Sequence, residues 1–277
     1  MFKGFYTVAS GMIAQQKRTE LLTNNLSNAN TPGFKADQSS IRSFPDMLMS
    51  SVGKTNAPAN QQAGLQYMSQ AGALNTGIYM QETLPNYAQG QIYSTNLPTD
   101  MALIDGALPV NADGTSGSIF FRLAHPNGGE AYTRNGNFTL DGQGYLVNPE
   151  GLYVLSDTGQ RIQLQNDDFQ LDQNGAILVN NQQVARVGVS YSANPNMLQK
   201  QDNGLFRTAN GQNLASAYGM EGVTFATRQN YLEGSNVDSS RTMTDLMTAY
   251  RAFEANQKIL QAYDRSMEKA VNEIGRL

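Results

Sequence analysis

Apolar and small residues recur at Phe5, Ala9, Met12, Thr19, Leu22 and Leu26, mostly in steps of three and four, with Gln15, Lys17, Arg18 and Glu20 largely between them. That spacing predicts a helix with one apolar stripe. Gly4 and Gly11 weaken it locally, by about 1 kcal/mol each. Pro32-Gly33 ends it, and Asn28 and Asn30 can satisfy the loose backbone groups on the way out. The other end of the chain carries a stronger pattern. Asp238 or Ser239 can cap a helix, and Thr242 with Asp245 fits a capping box for a slightly later start. Met243, Leu246, Tyr250, Phe253, Leu260, Met267, Val271 and Ile274 then follow a heptad-like rhythm, with Gln257 and Asp264 as weak points on the same seam. From Ser239 to Ile274 such a helix would reach about 54 Å at roughly 1.5 Å per residue, more than an ordinary globular helix.

Between these ends the period changes. Residues 50–78 are rich in Gly, Ala, Asn and Gln with little periodicity, which predicts a linker or extended arm over 36–78. From about Tyr79 to Asn230 short β-prone runs alternate with turn signals such as NADG, HPNGG, LDGQG and DQNG. One echo stands out: FTLDGQGYLVN (138–148) and FQLDQNGAILVN (169–180) both predict hairpins in which Asp and Gly make the turn. The predicted fold is therefore α+β, mainly β with long terminal helices. Residues 1–35 and 236–277 pair as a helical coiled-coil domain, and a β-rich domain over 79–235 is inserted between them. Two helices alone leave apolar surface uncovered, so further chains should complete the bundle.

Composition narrows the function classes. Only 15% of the 277 residues are charged, so an uncharged polar surface must enclose the core that 40% hydrophobic residues provide. A net charge of −4 and a pI near 5.0 argue against nucleic acid as a partner. The absence of cysteine removes disulfides, thiolate catalysis and Cys-ligated zinc. No apolar run approaches the roughly 20 residues that membrane insertion needs. After Lys3 the apolar run is broken by Thr7, Ser10, Gln15 and Gln16, which predicts no cleaved secretory signal.

Candidate chemistry is sparse. His125 is the lone histidine and sits in a His-Pro-Asn-Gly-Gly turn. Asp141 and Asp172 precede Gly in hairpin turns without the alternating ligands of a calcium loop. Asp167-Asp168 reads as a solvated loop, because adjacent strand residues face opposite ways. Gly142 and Gly144 make a lone GxG. The prediction is no catalytic, cofactor-binding or metal site.

Three ordered stretches carry a resemblance. Residues 24–35, NNLSNANTPGFK, resemble the signature of flagellar basal-body rod and hook proteins. Residues 132–155, YTRNGNFTLDGQGYLVNPEGLYVL, resemble that family's β-domain motif, and residues 233–264 resemble its C-terminal signature, Ser-Asn-Val before a Met/Leu-rich helix. The first fifty residues are most similar to the rod-type hook–basal-body proteins of Gram-positive bacteria. The resemblance implies an axial component of the flagellar basal body. It would be exported by the flagellar type III apparatus without signal cleavage and polymerise with copies of itself and with other rod and hook proteins. Asn24, Asn25, Asn28, Asn30, Thr31, Pro32, Gly33 and Phe34 then become the expected assembly motif. The family's Gly-Asp-Gly-Phe-Phe strand is altered here, since an inserted-looking loop separates Asp105-Gly106 from Phe120-Phe121. Two rivals remain: a peptidoglycan-remodelling enzyme, which needs a carboxylate pair in a cleft, and a cell-wall adhesin, which needs a concave aromatic surface on the β domain.

Overall fold

The computed structural model describes residues 2–54, 66–111 and 114–274. It is mixed α and β, mostly β, with helix α1 at Phe2–Ser27, helix α2 at Ser239–Lys269 and a π-helical turn at Ala270–Ile274. The chain divides into two compact units. The first comprises Met1–Thr23, Ser39–Thr83 and Ser240–Leu277, and the second Asn24–Gln38 and Leu84–Ser239. These bounds differ from the sequence-based ones: the Asn-rich end of α1 joins the β-rich unit, and most of the expected arm joins the helices.

Within the first unit the helices run antiparallel. A methyl group on Gly4 would collide with the Tyr263 hydroxyl, and one on Gly11 would lie 3.2 Å from Asn256 Nδ2. The glycines that weaken α1 thus allow close approach to α2. Most covered positions of α2 fall in two rows, Thr242, Ala249, Asn256, Tyr263 and Ala270, and Leu246, Phe253, Leu260 and Met267, with Asp245 and Ala252 partly covered beside them. The second row is the expected one. The first lies one residue earlier than the expected Met243, Tyr250 and Val271, which are 50%, 54% and 71% exposed. The reason is size. Small groups such as Ala249 suit a close approach, whereas hydrophobicity alone favours the larger neighbours. On α1, Leu22 is buried and Phe5, Met12 and Leu26 are half-buried, while Gly11 and Ala14 lie deeper than most of the stripe. The side chain of Ile274 lies outside the described residues.

The expected arm is built of paired strands. Asp37–Ser43 pairs with Ile78–Pro85. Met47–Lys54 pairs antiparallel with Gln66–Leu74, from Met47↔Leu74 to Lys54↔Gln66, and residues 55–65 lie outside the described residues. A two-stranded ribbon is held by backbone pairing, which leaves little apolar alternation in sequence. Asn75 supports the return: Phe44 N donates to Gly77 O at 2.9 Å and Gly77 N to Asn75 Oδ1 at 3.0 Å.

The second unit centres on a six-stranded sheet in the order Leu198–Lys200, Phe206–Thr208, Glu130–Thr133, Ser118–Ala124, Val189–Ser192 and Ala215–Ser216. Its central strand is buried on both faces. Ile119, Phe121 and Leu123 enter the main core with Leu103, Phe138 and Val189, while Phe120 packs with Tyr132, Leu198 and Phe206. Asp105 and Phe120-Phe121 fall in different sheets, since Met101–Asp105 pairs with Phe225–Gln229. Both halves of the sequence echo form hairpins, with Asp141 N donating to Tyr145 O and Asp172 N to Ala176 O.

Candidate assembly site

The Asn-rich turn serves two ends. Asn25 is buried, and its carboxamide acts like a strand partner: Nδ2 donates to Asp37 O at 2.8 Å and Oδ1 accepts from Asp37 N at 2.9 Å. Asn28 caps locally, donating to Asn24 O at 2.9 Å and accepting from Thr31 Oγ1 at 3.2 Å. Asn24, Asn30 and Thr31 are exposed, and Pro32 is half-buried. Gly33 turns the chain with φ +70°, where a side chain is strained, and a Cβ there would strike the Arg134–Asn135 backbone. Its N–H donates to Glu233 O at 2.8 Å. Phe34 is buried, with Lys200 Nζ 4.3 Å from its ring centre and bonded to the Asp37 carboxylate at 2.8 Å.

This turn delivers Lys35 into the interior, where it is 1% exposed. Its Nζ donates to Glu233 Oε1 at 2.6 Å and to Ala88 O at 2.8 Å. Arg134, equally buried, donates from Nε to Glu233 Oε2 at 2.8 Å and grips both oxygens of Asp105 at 2.8 and 3.2 Å. Gly90 N adds a bond to Glu233 at 2.9 Å. Two cations thus face two anions, and the hydrogen bonds satisfy groups that burial would otherwise penalise. Burial alone would raise the Glu233 pKa, but Arg134 and Lys35 outweigh it and hold the carboxyl below its ordinary value. Burial, then Arg134, lowers the Lys35 pKa against the pull of Glu233 and Asp105. Asn236 closes the arrangement, accepting from Ala36 N at 2.7 Å and donating to Asn86 O at 2.7 Å.

Sequence reasoning singled out the Asn-rich turn but missed Lys35, Arg134, Glu233 and Asn236 as one constellation. The available signal was that Lys35 and Glu233-Gly-Ser-Asn236 both stand inside the stretches that carried the resemblance. Elsewhere, His125 sits in a turn, with its N–H donating to Gly129 O at 3.1 Å, and Asp167 and Asp168 are exposed. Among the described residues no acidic or histidine cluster could hold a metal ion, and no helix is long and apolar enough to cross a membrane.

The second unit holds a buried polar clasp that ties Lys35 and Ala36 to Glu233 and Asn236, and the first unit holds helices with uncovered apolar groups; both features belong to a known class. Residues 5–35 match the flagella basal body rod protein family, residues 114–179 the flagellar hook protein FlgE/F/G D1 domain, and residues 228–273 the C-terminal region of the flagellar basal body rod FlgEFG proteins. The chain belongs to this family of flagellar rod and hook–basal-body proteins. It is 40% identical over 277 residues to the flagellar hook-basal body complex protein FlhO of Bacillus subtilis, with 100% of both chains covered. It is 31% identical over 280 residues to the flagellar basal-body rod protein FlgG of Borreliella burgdorferi, with 98% of each covered. It is also 30% identical over 285 residues to FlgG of Bacillus subtilis, covering 98% of this chain and 99% of that one.

Proposed function

We propose that this chain is a structural subunit of the flagellar rod in the basal body, exported without signal cleavage by the flagellar type III apparatus, and that it works by polymerising and transmitting torque. Its terminal helices pair as a coiled coil and nest among those of neighbouring subunits, while the β-rich unit forms an outer layer. The observation that carries this reading is the uncovered apolar row of α2, where Met243, Met247 and Tyr250 are each about half exposed, together with Tyr6 at 64% and Ile13 at 55% on α1. Large apolar groups at one-turn spacing on a helix find cover in another chain. The family membership supports the same conclusion.

The test is a Met243→Ser/Met247→Ser/Tyr250→Ser triple variant. Its melting temperature stays near that of the parent, and immunoelectron microscopy finds it missing from isolated basal bodies. Normal incorporation would refute the reading. The Asn-rich motif divides in the same way: Asn24→Ala with Asn30→Ala lowers incorporation while sparing the fold, whereas Asn25→Ala, which breaks the Asp37 pairing, lowers both.

A further inference from the structure

The second unit carries an open trough that the assembly role leaves unused. Two adjoining cavities, of about 940 and 560 Å³, share Gln163, and the Gly144–Tyr145 step joins their walls. Carboxamides dominate the larger one, from Gln143, Gln163, Gln165, Asn166, Asn180 and Gln182. Beside them lies the outward face of a small β element, paired Tyr145↔Gln163, Val147↔Tyr153 and Leu155↔Arg161. Leu146, Val154, Ile162 and Leu164 on its opposite face fill the core. The Tyr145 and Tyr153 rings stand edge to face at 5.5 Å, and the Arg161 guanidinium lies 4.2 Å from the Tyr153 ring centre.

We infer that this trough binds a neutral, hydroxyl-rich oligosaccharide strand, with Tyr145 as a platform for a sugar ring and the carboxamides as partners for its hydroxyls. A carboxamide both donates and accepts, as a hydroxyl does, so a wall of amides matches a polyol without demanding charge. Aromatic faces take the apolar C–H side of a pyranose, and the edge-to-face partner holds the ring in place. Charge selects against polyanions. Asp141, Asp167 and Glu130 line the trough against Arg161, and Glu130 is already paired with Arg122. A basic peptide is the competing ligand. It is less favoured because Asp141 Oδ1 is taken by the N–H groups of Gln143 and Tyr145, at 2.9 and 2.7 Å.

Saturation-transfer NMR on the full chain tests this, with the tetramer of N-acetylglucosamine and cellotetraose as probes and a lysine-rich decapeptide as the rival. Transfer to sugar ring protons is expected. Tyr145→Ala weakens binding about tenfold, and so does Gln165→Ala/Asn166→Ala, whose exposed side chains leave the fold intact. No transfer to either sugar at about 10 mM, undiminished binding in the double variant, or displacement of the sugar by the peptide would each overturn the proposal. The double variant leaves α1 and α2 unchanged and is expected to enter basal bodies normally. Its failure to bind sugar is thereby separable from any failure of the assembly reading.

Discussion

Lys35 is buried away from solvent and is held by Glu233 and the Ala88 carbonyl. Lys35→Met leaves Glu233 with Arg134 and the Gly90 N–H and without its second cation, and is expected to destabilise the second unit by about 3–5 kcal/mol in denaturant melts. Glu233 also sets the acid response. Its folded pKa is below 4.5, so its contribution is complete above that value and is lost as pH falls through the lower folded one. Asp100 acts in the opposite sense. It is buried with Oδ1 unpartnered among the described residues, and burial raises its pKa above 3.8 although Thr95 pulls it down. Its charge therefore opposes folding above the raised value, and acid relieves that penalty. Asp100→Asn should raise the melting temperature at neutral pH, with the gain vanishing well below pH 3.8. Gly33→Ala, at φ +70° against the Arg134–Asn135 backbone, should lower it. The turn at Gly33 was legible from Pro-Gly. The burial of Lys35 was not, because a lysine after an aromatic residue reads as surface until its partner nearly two hundred positions away is known.

At the scale of the helices, length and rhythm were legible and phase was not. Leu246, Phe253, Leu260 and Met267 announce one row of α2 by size, but Thr242, Ala249 and Asn256 are small or polar and yield the other to Met243 and Tyr250 in any reading by hydrophobicity. A helix surface can be covered for closeness as well as for greasiness. Ala249→Leu, at a position 2% exposed, is expected to cost about 1–3 kcal/mol by overpacking, read as lost helicity on heating. Met243→Leu should leave the melt unchanged. The ribbon formed by Met47–Lys54 and Gln66–Leu74 was invisible for a different reason: backbone pairing, which every residue but proline can supply, leaves little trace in side-chain pattern.

For the whole molecule, a β core enclosed within one unit contrasts with helices whose cover is incomplete. Hydrogen exchange of the free chain should be slowest in Ser118–Ala124, whose residues fill both cores, and faster along α2. Assembly should slow α2 and leave the central strand unchanged. The α+β class, mostly β with a helix near each end, could be read from changes of period, but the grouping of the chain into its two compact units could not. The end of α1 belongs with the β-rich unit through single polar contacts, such as Asn25 to Asp37, that carry no periodic signal.

The tie between Lys35 and Glu233 spans 198 positions, and that between Ala36 and Asn236 spans 200. A ribosome releases the early partner of each long before the late one. Until Glu233 has emerged, Arg134 has only the Asp105 carboxylate and Lys35 has none, so this interior closes only when segments far apart in the chain meet.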